Sequence, residues 1–134
     1  MCTPADQKSD EVEMLIKKSQ EAKGCAYSPY TKCSTGAALL TENGKTFTGC
    51  SIENACPGMS ACAECVAIYK AVSEGCTKFK SLAVCSDRRD YTPCGGCRQV
   101  LREFGDKTEV HMTMQDGSRK TMTIADLLPL PLGK

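Results

Sequence analysis

The residues of this chain best suited to chemistry are two Cys-x-x-Cys pairs, Cys62-Ala63-Glu64-Cys65 and Cys94-Gly95-Gly96-Cys97. Cysteines at such spacing are zinc ligands, and His111 is the only histidine, so a zinc ion here has to be held mainly by thiolates. Two arrangements satisfy the spacing. Four thiolates make a closed site that serves folding alone, whereas three leave one position open to a water. Glu64 separates the two chemically. A carboxylate beside the open position, but outside the coordination shell, can accept a proton from that water and pass it to a leaving group. A closed site has no use for such a group, although an acidic residue is also favoured near a helix N-terminus on electrostatic grounds alone.

The elements that must position these residues follow from pattern. A helix is expected from about Asp10 to Ala26, with Val12, Leu15, Ile16, Ser19 and Ala22 at helical spacing and Ser9 as its N-cap. Residues 35–41 and 46–52 read as strands joined by Glu42-Asn43-Gly44-Lys45, a tight hairpin turn. A second helix follows, with Ser60 as cap and Gly75 at its end, then a buried strand at 79–86 and a polar loop at 87–93. A short helix starts directly after Pro93, and a closing hairpin, 109–114 with 119–124, leads to a helical turn at 125–128. Each cysteine pair therefore opens a helix, where free N–H groups and the positive dipole end offset thiolate charge.

Composition bounds the function. At 134 residues the chain is of single-domain length, and one domain over 1–134 is expected, with its core from about residue 10 to 128. The balance of 17 basic against 16 acidic residues leaves +1 and no long run of either sign, which argues against polymeric nucleic acid or a membrane as partner and for a small molecule. Eleven cysteines cannot all pair, the N-terminus lacks an apolar signal core, and the expected compartment is the reducing cytoplasm. There, Cys25, Cys33, Cys50, Cys56, Cys76 and Cys85 are expected as buried small hydrophobes, with Cys2 in the terminus. Arg98 either brings positive charge toward the thiolates or makes a subunit salt bridge. Gly95 and Gly96 permit a close approach of backbone to metal or serve the turn, and His111 is structural.

Cys62-Ala63-Glu64, then Pro93-Cys94-Gly95-Gly96-Cys97, with Ile52-Glu53-Asn54-Ala55 upstream and the run 97–105 downstream, closely resemble the small homotetrameric cytidine deaminases, from about Val12 to Leu128. The resemblance implies a three-layer α/β/α sandwich with a mixed five-stranded sheet. It implies one zinc ion (Zn2+) held by Cys62, Cys94 and Cys97, with Glu64 as the catalytic proton shuttle. The implied reaction is hydrolysis of cytidine or deoxycytidine to uridine or deoxyuridine with release of ammonia. By the same resemblance Glu53 binds the sugar hydroxyls, carbonyls around Ser60 and Ala61 receive the amino group, and four chains assemble with sites near subunit interfaces.

Departures gather around the substrate. Cys65 stands where the family has an arginine that hydrogen-bonds the thiolates, and Ser51 where it has asparagine. Cys33 replaces an aromatic that stacks on the base, Pro57 a pocket tyrosine, and Leu132 an aromatic near the C-terminus. Ser51, Glu53, Ala61 and Cys33 are the expected substrate-binding residues, and Tyr27, Tyr30 or Phe47 the candidates to rebuild the missing wall. Two other functions stay open at this level. One is deamination of a different amino-heterocycle, such as a blasticidin S-like nucleoside or a modified base. The other is an inactive interaction protein in which Cys65 is a fourth zinc ligand.

Overall fold

Strand residues that alternate between two apolar faces need cover on both sides, and the chain supplies it from helices before and between the strands. A computed structural model describes residues 4–133. In chain order the elements are α1 (Pro4–Lys23), β1 (Thr35–Thr41), β2 (Thr46–Cys50), a 3-10 turn (Pro57–Met59), α2 (Ala63–Ser73), β3 (Phe79–Ser86), α3 (Gly95–Glu103), β4 (Glu109–Thr113), β5 (Arg119–Thr123) and α4 (Ile124–Leu127). The strands form one sheet in the order β2-β1-β3-β4-β5. β3 and β4 run parallel, connected through α3, and the other neighbours are antiparallel, so the sheet is mixed and five-stranded as expected.

The two faces carry separate cores. On one, Leu15 and Ile16 of α1 pack with Ala38, Leu40 and Ala83. On the other, Ala37, Leu39, Leu82, Val84, Val110 and Met112 meet Ala67 and Ile68 of α2, Leu101 of α3, and Ile124 and Leu127 of α4. Two glycines set how closely the helices approach. A Cβ on Gly36 would lie 2.1 Å from the Ser19 carbonyl of α1, and one on Gly49 would lie 2.3 Å from the Ala63 carbonyl and 2.6 Å from the Ala67 nitrogen of α2. The backbone of α2 thus rests directly on β2, which fixes the helix whose N-terminus carries Cys62 and Glu64.

Several boundaries differ from expectation. α1 is already helical at Pro4, where a missing N–H costs nothing in the first turn, so Ser9 is an interior residue and not the N-cap. It ends at Lys23, and residues 24–26 continue as successive tight turns, each amide bonding the carbonyl three residues back. The cap of α2 is Cys62 and not Ser60, which instead closes the 3-10 turn by donating its N–H to the Pro57 carbonyl at 3.1 Å. Phe47 lies in the core and not in the wall of the cavity beside the cysteines. Of the six cysteines expected to be buried, only Cys76 and Cys85 are; Cys25 and Cys56 are exposed, and Cys33 and Cys50 half-buried, because they lie on loops or the edge strand and not under a helix. Cys2 lies outside the described residues. His111 is buried in β4 with its Nδ1 2.9 Å from Thr121 Oγ1, consistent with a structural role.

Candidate active site

The N-termini of α2 and α3 meet at the same spot. Cys62 and Cys94 occupy the two N-cap positions with extended backbone, and Cys94 Sγ accepts from the Cys97 amide at 3.4 Å. The sulfurs of Cys62 and Cys94 are 3.8 Å apart and those of Cys94 and Cys97 3.3 Å, and all three lie within 4.8 Å of one another. Sulfurs held by one zinc at about 2.3 Å in tetrahedral directions are about 3.8 Å apart, so this trio fits the ion. Cys65 is not part of the mutually close set. Its sulfur lies 3.6 Å from Cys97 and is also near Tyr69, one helical turn further along α2, while Cys62 and Glu64 act on it through their charge. The closed four-cysteine arrangement is therefore not formed, because Cys65, a turn past the cap, sits to the side of the cluster.

The thiols respond as a group short of a cation. Hydrogen bonding from Cys97 lowers Cys62 to about 6, against burial and the charge of Glu64. Hydrogen bonding to Cys62 and Cys65, burial and Glu64 push Cys97 far up. Three thiolates packed so closely beside a carboxylate cannot all ionise alone, and a divalent ion at two helix N-termini removes the conflict.

Glu64, in the first turn of α2, is fully buried. Its Oε1 accepts from the Tyr91 hydroxyl, and its Oε2 has no hydrogen-bond partner among the described residues. Burial, then the Glu64 charge, raise the Tyr91 pKa, so the phenol stays protonated and remains the donor.

In front of the cysteines lies a cavity of about 570 Å³. It brings Cys33, Ser51, Glu53 and Ala61 together with Cys62 and Cys94, and Tyr30, Thr31, Pro57, Arg88 and Tyr91 also line it. Glu53 Oε1 accepts the amides of Tyr30 and Thr31 at 2.9 and 3.1 Å, and Oε2 accepts the Thr31 hydroxyl, the bond that does most to hold this carboxyl below its usual range. One lone pair on Oε2 is left for a substrate hydroxyl. Ser51 Oγ accepts the Thr35 amide at 3.1 Å and keeps its own proton to donate. The Ala61 carbonyl already accepts Ile52 N–H at 3.0 Å, which leaves it a single lone pair for an incoming amine.

Other expectations do not reach the site. Tyr27 is absent from the lining, so of the aromatic candidates only Tyr30 stands in the wall. Arg98 donates to the carbonyls of Pro93 and Leu127, each at 2.8 Å, tying α3 to α4 instead of turning to the thiolates. A Cβ on Gly95 would meet no protein atom within 4 Å and one on Gly96 would come no closer than 3.8 Å to Cys94 Sγ, so packing within the chain does not require either glycine. Tyr91 is the residue that sequence reasoning missed; its only signal is being the one aromatic in an otherwise polar loop before Pro93.

Residues 9–113, which span both cysteine pairs, match the family model described as the cytidine and deoxycytidylate deaminase zinc-binding region. The chain belongs to this deaminase family. Zinc is its cofactor, and Cys62, Cys94 and Cys97 are the cluster suited to hold it. Among relatives, the cytidine deaminase of Sporosarcina psychrophila is 46% identical over 121 residues, covering 89% of each chain, and a probable cytidine deaminase of Dictyostelium discoideum is 45% identical over 90% of this chain and 82% of its own. The crystal structure of cytidine deaminase from Burkholderia pseudomallei superposes with a TM-score of 0.86 at 38% identity, covering 90% of this chain and 98% of that one. This deaminase therefore shares the full fold of its relatives, and no helix among its described residues is long and apolar enough to cross a membrane.

Proposed function

We propose that this chain, a single domain over 1–134, is a zinc-dependent hydrolase that converts cytidine or deoxycytidine to uridine or deoxyuridine and releases ammonia. The observation that carries this is Glu64: a fully buried carboxylate with one oxygen unpartnered, beside three sulfurs spaced for one ion. Zinc, when bound, supplies the Lewis acidity that makes water nucleophilic at neutral pH. Cys62, Cys94 and Cys97 hold it. Glu64 carries the proton on Oε2, taking it from the attacking water, giving it to the ring nitrogen, and helping the amine leave as ammonia. Ser51 and Glu53 orient the sugar, while Cys33 and the Ser60–Ala61 segment bound the base and its amino group.

Replacing Glu64 with glutamine keeps the shape and removes the proton carrier, so kcat falls by about 100-fold or more while zinc stays at one per chain. Full turnover by Glu64→Gln would refute the shuttle. Ammonia release is expected from cytidine and deoxycytidine and not from cytosine, blasticidin S or aminopurines; turnover of blasticidin S alone would replace the substrate reading.

We place the protein in the cytoplasm as a homotetramer. Ten described cysteines are free thiols, in keeping with a reducing compartment. Leu130 and Leu132 are 91% and 84% exposed and Met59 70%, apolar surface of the sort that subunits cover. The same purified sample should have the light-scattering mass of four chains of 14.4 kDa.

A further inference from the structure

We propose that Tyr91 is the positioning residue for Glu64: its hydroxyl clamps Oε1, fixes the plane of the carboxylate, and leaves Oε2 as the oxygen that meets the reacting groups. This rests on the hydrolytic reading above and assigns the proton path to one oxygen of the pair.

The two carboxylate oxygens of Glu64 are not equivalent. Glu64 is fully buried, yet Oε1 has the Tyr91 hydroxyl and Oε2 has no partner among the described residues. A buried, ionisable oxygen without a partner is costly unless something else fills the role, and the open side of the cluster is where substrate and water arrive. A glutamate held only by its own χ angles could present either oxygen or turn away; a donor on one of them removes that freedom. Proton transfer depends on donor and acceptor being within hydrogen-bond reach in the transition state, so fixing the carboxylate plane acts on the rate more than on binding.

Tyr91 is itself held rigidly enough for this. Its ring packs against the apolar core that α2, α3 and the sheet share. The loop bearing it is pinned at its start, where Asp87 accepts from Lys23 at 2.7 Å and from the Ser34 amide at 3.1 Å. Next to them, the Arg88 carbonyl accepts from the Gln115 amide at 3.1 Å. At its end Pro93 is buried, disfavours helical backbone at Thr92, and has its carbonyl held by Arg98. Arg98 thus contributes to the site indirectly, through the loop that aims the tyrosine.

Tyr91→Phe removes the hydroxyl and keeps the ring. The expected result is a kcat lower by roughly 10- to 100-fold with KM for cytidine nearly unchanged, one zinc per chain, and an unaltered melting temperature. Affinity for a pyrimidine nucleoside whose ring carbon 4 is tetrahedral and bears a hydroxyl should fall by a similar factor, while affinity for uridine stays the same. In the Glu64→Gln background, Tyr91→Phe should cost the tetrahedral compound much less, because the two residues act as a unit. Unchanged kcat would overturn the assignment, as would a rise in KM alone, which would make Tyr91 a wall, or loss of zinc, which would make it part of the scaffold. A downfield, slowly exchanging hydroxyl proton present in the wild type, absent from Tyr91→Phe and moved upfield in Glu64→Gln, where a neutral amide oxygen is the weaker acceptor, reports the clamp without any turnover. If the wild type releases no ammonia from cytidine, the proposed function fails, and this resonance still decides whether the clamp exists.

Discussion

Cys65 and Cys97 have sulfurs 3.6 Å apart, yet only Cys97 joins the trio suited to zinc. Contact with one ligand does not make a ligand, because a tetrahedral site needs each sulfur to be close to all the others. At most Cys65 lends a weak S–H to the Cys97 sulfur, a pale substitute for the arginine whose place it takes. Cys65→Ser should therefore retain one zinc per chain after gel filtration in a chelator, whereas Cys94→Ser should lose it; metal release from Cys65→Ser would restore the four-cysteine reading. The spacing of Cys62, Glu64, Cys94 and Cys97 was legible before any coordinates, since both motifs are local and each opens a helix. Tyr91 was not legible, because its meeting with Glu64 depends on how the loop after β3 folds back over the start of α2, and no sequence period encodes that. The thiolate reading of Arg98 fails for a related reason: adjacency to Cys97 in sequence is not adjacency of side chains on a helix, where neighbours point in different directions, and its guanidinium goes to the Pro93 and Leu127 carbonyls.

The helix that delivers Cys62 and Glu64 is set at its height over the sheet by Gly49, and the helix on the opposite face by Gly36. Both positions meet backbone atoms at under 2.4 Å when a Cβ is added, so neither substitution can be absorbed by turning a side chain. The consequences differ by face. Gly49→Ala should push the start of α2 away from α3, costing about 1–3 kcal/mol in stability and also weakening zinc retention against a competing chelator. Gly36→Ala should cost as much in melting temperature while leaving zinc retention in the folded protein unchanged, because α1 carries no ligand. Equal effects of the two on zinc would mean that Gly49 serves the fold alone. Strand periods placed β1 and β3 on their observed residues, since buried β-branched and apolar runs bounded by turns are local signals. Helix starts were less readable. Ser9 and Ser60 are good caps by type, but α1 is already helical from Pro4, and at α2 the cap falls to Cys62, where burial of Ala63 and Glu64 outweighs cap chemistry.

At the scale of the molecule the sandwich has unequal layers: among the described residues α1 covers one face, while α2, α3 and α4 share the other. The mixed sheet was readable from the order of strands and helices together with the family resemblance. The burial of His111 was not, because it depends on α1 reaching across to β4. His111 pairs with Ala83 across the parallel register and so lies on the α1 face, where Lys8 of α1 bonds Glu109 at 2.8 Å. The groups facing the imidazole are Thr121 Oγ1 at Nδ1, Glu109, whose Oε2 is 3.6 Å from Nε2, and Lys8. Burial is the largest influence and lowers the pKa; Glu109 opposes it and Lys8 adds to it. A depressed folded-state pKa means that, as pH falls below the ordinary value of about 6.5, the unfolded chain takes up a proton before the native one. Stability is then undiminished above that value and lost as pH falls toward the folded pKa, at no more than about 1.4 kcal/mol per pH unit for one group. Because no other histidine is present, the single imidazole Cε1 proton resonance of the zinc-loaded protein identifies the site. Its midpoint should lie below 6.5, and His111→Asn should flatten the part of the melting-temperature decline that begins near pH 6.5. Acid release of zinc by thiolate protonation affects both proteins alike and cancels in the comparison. A midpoint at or above 6.5 would mean that Glu109 outweighs burial, and the stability profile would then tilt the other way.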